Sequence, residues 1–475
     1  MRLKGPEVLS CEEIDAIHRA SLRILAETGV AVECPEILKR LRDAGVQVDF
    51  ESQRTRFSES QIEEALRSAP SKIAIYDRNG RPAMTLGDDR TYAVSGMDAI
   101  YILDSDTGER REATKVDTGG FSRLADALEH IHMVAPQVLP QDVMQRSSLP
   151  HGIDAMFNNT EKPLIFAPFD VEDAEMVLDL ARIALDVEDL SASPALICLQ
   201  SLVSPLCMPK DVGEVLLKMI DTGVPFCFHT APQNGMSAPI TLAGLMTQYN
   251  AEMLSAIVIS QWIKRGTPVI YGGGWGTLDM HLMTRAISSP ESALMRIAGR
   301  QMSAFYRLPY HAMGLDTDAH SCDEEMGWEK MLTALADITA GVDLMVNAGM
   351  FGTGMTASYE QLILDHEILG IAYRFAAGFE VDEDRIALEV IQRVGPRGYF
   401  ITEDHTLKHL RSGGRWEPVL SNRHGYEEWQ RLGGRDILQK ASDEAKRLLK
   451  SHHPKPLDTP KRKEMTSLIR TFEKE

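Results

Sequence analysis

Short apolar runs begin near Tyr92, Ile131, Leu164, Ala195, Pro225, Val269, Pro309 and Asp343. After each run, apolar residues recur at helical spacing. Ala174, Val177, Leu178, Ala181 and Leu185 mark one helix face, and Trp328, Met331, Leu332, Leu335 and Thr339 another. Ser289-Pro290-Glu291 supplies an N-cap, a first-turn proline and an acid matched to the helix dipole. Alternating strands and helices imply parallel strands with crossover helices. Eight such units predict an α/β fold, a closed (β/α)8 TIM-type barrel over residues 91–378. An open doubly wound sheet is the alternative. A nucleotide-binding sheet of that kind carries a GxGxxG turn, which none of the first turns shows.

Residues 1–90 predict an N-terminal α-rich cap. Ser10-Cys11-Glu12-Glu13 and Ser58-Glu59-Ser60-Gln61 read as capping boxes, in which two side chains satisfy two orphan amides. Helices ending at Gly29, at Gly45 and near Pro70 follow from these signals, and Lys72 to Tyr76 reads as a strand. Residues 379–475 predict a C-terminal helical extension and tail. It has helices over Glu383 to Val394 and near Asp436 to Lys450, and a loose Lys- and Pro-rich end after Pro454.

The 475 residues are 44% hydrophobic and 25% charged, as in an ordinary globular enzyme. The net charge of −19 disfavours nucleic acid and mildly favours a cationic ligand. Met1 to Ser10 lacks an apolar leader core, and no stretch reaches the roughly 18 apolar residues of a spanning helix. Ile240 to Ile263 is broken by Gln248, Asn250, Glu252 and Gln261 and reads as a buried helix. Six cysteines without a CxxC pair suit a reducing, cytoplasmic setting, and no membrane partner is expected.

Several stretches resemble the trimethylamine methyltransferase superfamily. They are Ile24 to Val30, Gly314 to Lys330, Asn347 to Met350, Tyr359 to Ile368, Phe400 to Thr406 and Arg415 to Pro418. The resemblance covers nearly the whole chain. It implies transfer of a methyl group from an amine to the cobalt of a corrinoid carried by a separate protein, with no cofactor held tightly by this chain. Archaeal trimethylamine enzymes of the family carry pyrrolysine, which this sequence lacks. Relatives without it include enzymes that demethylate glycine betaine and similar quaternary amines. The expected partners are therefore a small methylated amine, a corrinoid protein and further copies of the chain in a homo-oligomer.

The chemistry agrees with that departure. Co(I) is a nucleophile, and the reaction is a displacement at a methyl carbon. A quaternary ammonium leaves as a neutral tertiary amine and needs no proton, so positioning alone can suffice. Such a cation is recognised by aromatic faces and carboxylates. Barrel sites lie just after the strands. There, Trp275 is the foremost aromatic candidate, and Gly273 and Gly274 before it are the cofactor-facing residues. Phe169, Phe351 and Tyr101 are further aromatic candidates. Asp316, Asp318 and His229 are the catalytic candidates, although helix capping or ion pairing would equally explain the two acids. Gln200, His320 and Asn347 complete the substrate-binding set. No metal is expected, because Asp318, His320 and Cys322 lack a distant fourth ligand. Asp279-Met280-His281 resembles a cobalamin motif but lacks its glycine. Two rival functions are a metal-dependent barrel lyase or hydrolase and a non-catalytic binding barrel.

Overall fold

A computed structural model of the protein describes residues 5–104, 106–411 and 415–474; Met1 to Lys4, part of the stretch read as lacking a leader, lie outside the described residues. Seven strands form one parallel sheet: Tyr92–Ser95, Leu164–Phe166, Leu196–Ser201, Phe226–Thr230, Val269–Gly273, Tyr310–Met313 and Leu344–Ala348. The second position in the ring is held by extended chain at 133–134. Single parallel bridges join Val94 to Met133 and Val134 to Leu164. His132 N donates to Ala93 O at 2.8 Å and Ile165 N to Val134 O at 3.0 Å. These bonds close the ring, so the expected (β/α)8 barrel is present. Its eight helices are Lys115–Ala127, Ser148–Asn159, Val171–Leu185, Lys210–Met219, Leu242–Ile263, Pro290–Phe305, Glu324–Ala340 and Tyr359–Ala376.

Alternate strand residues fill the interior, among them Val94, Ile165, Ile197, Cys227, Ile270 and Val346. A hairpin of Ile73–Tyr76 and Pro82–Leu86 plugs the N-terminal end, adding Ile73, Ile75, Met84 and Leu86 to that cluster. Its turn is fixed by Asp77, whose Oδ1 accepts from Asn79 N and Arg81 N. Only the first of these two strands is legible in the sequence.

Both N-terminal capping boxes form, on helices Cys11–Arg23 and Glu59–Ser68. The segment is less helical than expected. Val30–Val32, Gln47–Asp49 and Arg54–Arg56 build a sheet that also takes Cys207–Met208, just after the fourth barrel strand. Helix Val171–Leu185 buries Ala174, Val177, Leu178 and Ala181 as expected. The face expected for Glu324–Ala340 holds only in part: Met331 and Leu335 pack half-buried against the core. Trp328 and Leu332 are exposed, and the buried side carries Lys330, Thr333, Ala334, Asp337 and Ile338. A buried lysine is tolerated because Asp365 pairs with it at 2.7 Å, and both side chains are sealed from solvent. The end of the chain is not loose. Thr459–Phe472 is a helix that buries Met465, Ile469 and Phe472 against the second and third barrel helices. Among the described residues, no helix is long and apolar enough to cross a membrane.

Candidate active site at the barrel mouth

A cavity of about 390 Å³ opens at the C-terminal ends of the strands. Its floor follows from the side-chain period of two. The fifth strand turns Cys227 and His229 inward, and the seventh turns His311 and Met313 inward. Gly272 of the sixth strand lies between them, in register with both histidines. A β-carbon on Gly272 would come within 2.4 Å of Phe228 O and 3.2 Å of His311 Nδ1. Its absence lets the two imidazoles meet edge to face, with centroids 6.2 Å apart. Gly274 is confined in the same way, since a β-carbon there would strike His229 Nε2.

His229 Nδ1 shares a 2.8 Å hydrogen bond with Ser201 Oγ. The end of its strand is clamped from behind by Glu252 on the fifth helix. That carboxylate accepts from Thr230 Oγ1 at 2.7 Å, Ser204 Oγ at 2.8 Å and Leu206 N at 3.0 Å. His311 has no hydrogen-bond partner at either ring nitrogen among the described residues. Burial pushes its pKa down to about 3 and that of His229 down to about 4, so both rings are neutral near pH 7.

Two carboxyl groups line the cavity, Asp211 and the more deeply buried Asp98, just beyond the first strand. The Asp98 backbone is left-handed, with φ at 63°, and its N–H is held by Pro136 O at 2.8 Å. Its Oδ1 is shut off from solvent and has no hydrogen-bond partner among the described residues. Burial raises the pKa of Asp98 to about 7. Asp211, Gln200 and Asn347 add polar groups, while Met97, Phe169, Leu199, Met313 and Val346 supply apolar wall. Among the described residues, no lysine or arginine lines the cavity. The pocket is thus apolar, locally acidic and lined by uncharged imidazoles, a combination that suits a cation carrying methyl groups.

Of the residues singled out in the sequence, Phe169, Gln200, His229 and Asn347 come together here. Gln200 Nε2 donates to Leu199 O at 3.0 Å. Asn347 reaches the mouth through a left-handed backbone, φ 88°, where the eighth strand's register shifts. Its Nδ2 donates to Asp316 Oδ1 at 2.6 Å.

The others lie elsewhere. Asp316 is buried behind the strands and ion-paired with Arg296, outside the cavity. Burial raises its pKa to about 6, against the pull of Arg296 and Asn347. Asp318 accepts from Ile287 N, Ser288 N and Ser288 Oγ, which occupies it with the loop before the sixth helix. Trp275 is fully buried, donates to Tyr310 OH at 2.9 Å and packs on Tyr249 with centroids 4.1 Å apart. It is core, because the loop turns its indole outward between sheet and helices. Gly273 sits against that indole and does not face the cavity. Phe351 is buried in a short antiparallel pair with Thr356, His320 is exposed beside Gly352, and Tyr101 lies under Arg110. Asp318, His320 and Cys322 do not converge; the Cys322 thiol is bonded to Gln361 instead. The residues missed by the sequence reading are Asp98, Ser201 and His311. Strict alternation along Pro309-Tyr310-His311 would have found His311. Nothing local marks Asp98.

A barrel with a ligand cavity at the C-terminal ends of its strands has the layout of an enzyme. The chain belongs to the trimethylamine methyltransferase (MTTB) family, whose model matches residues 2–475, and it is a methyltransferase. It is 31% identical over 449 residues to the trimethylamine methyltransferase MttB of Desulfitobacterium hafniense (strain DSM 10664 / DCB-2), covering 94% of this chain and 90% of that protein. It is also 31% identical over 461 residues to the glycine betaine methyltransferase of Desulfitobacterium hafniense (strain Y51), covering 95% and 94%. The fold is similar to the crystal structure of the Methanosarcina barkeri monomethylamine methyltransferase (MtmB). The TM-score is 0.57 at 10% identity, over 94% of this chain and 88% of that one.

Proposed function

We propose that the protein transfers a methyl group from a quaternary amine, glycine betaine or a similar compound, to the Co(I) corrinoid of a partner protein. The observation that carries this reading is the cavity: two carboxyl groups, Asp98 and Asp211, two neutral imidazoles, apolar walls and, among the described residues, no lysine or arginine. The Asp98 carboxylate offsets the ammonium charge. Met97, Leu199 and Met313 receive the N-methyl groups. His229, fixed by Ser201, and His311 add polar contacts without repelling the cation. Gln200, Asn347 and Phe169 shape the remaining wall. The corrinoid supplies the nucleophile. Its carrier protein would approach the side on which the mouth opens to solvent, at Phe169, which is 63% exposed, and at Ser201. The departing tertiary amine is neutral, so no side chain has to deliver a proton. Asp98 and the histidines therefore act by placement and charge.

A cytoplasmic homo-oligomer belongs to the same reading, supported by the exposed Trp328 and Leu332 on the barrel's outer surface. The test supplies a reduced corrinoid protein with glycine betaine, carnitine, proline betaine or trimethylamine and follows loss of the Co(I) spectrum. Turnover of a quaternary amine and none of trimethylamine is expected. Preferential use of trimethylamine would overturn the reading.

A further inference from the structure

Outside the barrel, three metal-ligating side chains converge in the C-terminal extension. His405 and His409 lie four residues apart on helix Asp404–Arg411, and so share one face. Asp384 comes from helix Glu383–Ile386. One ligand atom from each of the three lies within 4.8 Å of the others. The imidazole centroids are 4.3 Å apart, and His409 Nε2 is 3.1 Å from Asp384 Oδ2. A tetrahedral ion with bonds of about 2.0–2.1 Å needs its ligand atoms about 3.3 Å apart. To reach that geometry the ligand atoms must close from as much as 4.8 Å, and His405 Nε2 must leave the Asp384 carbonyl oxygen, from which it now lies 2.9 Å.

A second observation explains why an ion would matter here. The helices Glu383–Ile386, Leu388–Val394, Asp404–Arg411 and Tyr426–Arg431 bury no residue. Helices this short are unstable alone, and these have no core of their own to hold them. Segments lacking a core are held by metals, disulfides or a partner. The cysteines lie elsewhere, the last being Cys322.

We propose that Asp384, His405 and His409 form a binding site for a divalent transition-metal ion of the zinc type, which ties the two halves of this arm together. Two imidazoles and a carboxylate are the ligand chemistry such an ion takes. Water completes its coordination. At present Lys408 occupies the carboxylate, with Nζ 2.7 Å from both Asp384 oxygens. The lysine supplies the positive charge that the ion would replace. It is largely exposed and free to swing into solvent as the ion binds. The site is separate from the barrel mouth and does not depend on the reaction proposed there.

The test uses the full chain, stripped with chelator and titrated with Zn²⁺ alone by calorimetry. Hydrogen exchange is read over residues 383–411. One tight site is expected, together with increased protection of the arm. His405→Ala and His409→Ala should each weaken binding by at least about 100-fold. Lys408→Met should tighten it by removing the competing cation. His281→Ala, at an exposed turn, should leave it unchanged. The barrel's unfolding should be unaffected by all four, so a folding failure cannot imitate the result. No site tighter than about 10 μM, or a site indifferent to both arm histidines, would overturn the proposal.

Discussion

The barrel helices and the helices of the C-terminal arm both carry leucines and isoleucines at helical spacing, yet those side chains meet opposite fates. Leu242–Ile263 buries even Asn250, Glu252 and Gln261, whereas Leu388, Ile391, Leu407 and Leu410 of the arm stay exposed. Part of the difference is composition, since Leu242–Ile263 is apolar nearly all round and Asp404–Arg411 has a single apolar face. Each barrel helix lies against a strand on its own βα unit and against two neighbouring helices, so covering surface is supplied within the fold. The arm helices, from Glu383 to Arg431, lead away from the completed ring, and only the later helices Ile437–Ser451 and Thr459–Phe472 return to it and bury Ala441, Ala445, Met465 and Ile469. A periodic pattern therefore says which face needs cover, and only the topology says whether the chain itself provides it.

The contrast can be broken at its strongest point first. Lys330→Met would leave Asp365 as a buried carboxylate stripped of its cation. Asp365 also holds Gly349 N at 2.6 Å and Gln361 Nε2 at 2.9 Å, just beyond the eighth strand. The expected loss of stability is ~3–5 kcal/mol, read from urea unfolding. A loss under ~1 kcal/mol would mean that this part of the barrel is far less sealed than described.

A second test asks whether the mouth chemistry belongs to the barrel alone. Asp98 is neutral below about pH 7 in the free protein, because burial raises its pKa. A bound cation favours the carboxylate, so binding should be coupled to loss of the proton. Hence kcat/KM for the quaternary amine should fall roughly tenfold per pH unit below 7 and level off above it. Asp98→Asn should abolish that slope and lower the plateau roughly 10- to 100-fold, mainly through KM. A pH profile unchanged in the variant would remove Asp98 from the site.

The smallest effect belongs to the arm. Leu410→Ala removes an apolar side chain that buries nothing in the single chain. Its effect on unfolding should stay within ~0.5 kcal/mol. A loss comparable to that at Lys330 would show that the arm is packed as tightly as the barrel.

The sequence by itself determined the barrel. Eight apolar runs, each followed by a helical period, specify their own strand–helix units, because propensity, capping and side-chain period are local properties. Ser289-Pro290 and both N-terminal capping boxes are of this kind. It also placed His229, Gln200, Asn347 and Phe169 correctly at strand ends. Which side chains face the mouth was decided only by the tertiary structure. Trp275 follows a strand just as His229 ends one, yet the loop's path sends it into the core between sheet and helices. Asp316 sits at a barrel top but is claimed by Arg296 from the neighbouring helix. Asp98 enters the cavity through a left-handed residue and a bond to Pro136, a contact made across two barrel units. Inward or outward direction at a strand end depends on how the loop leaves it and on which partner waits behind. Both are set by packing between segments far apart in the chain, which no local pattern records.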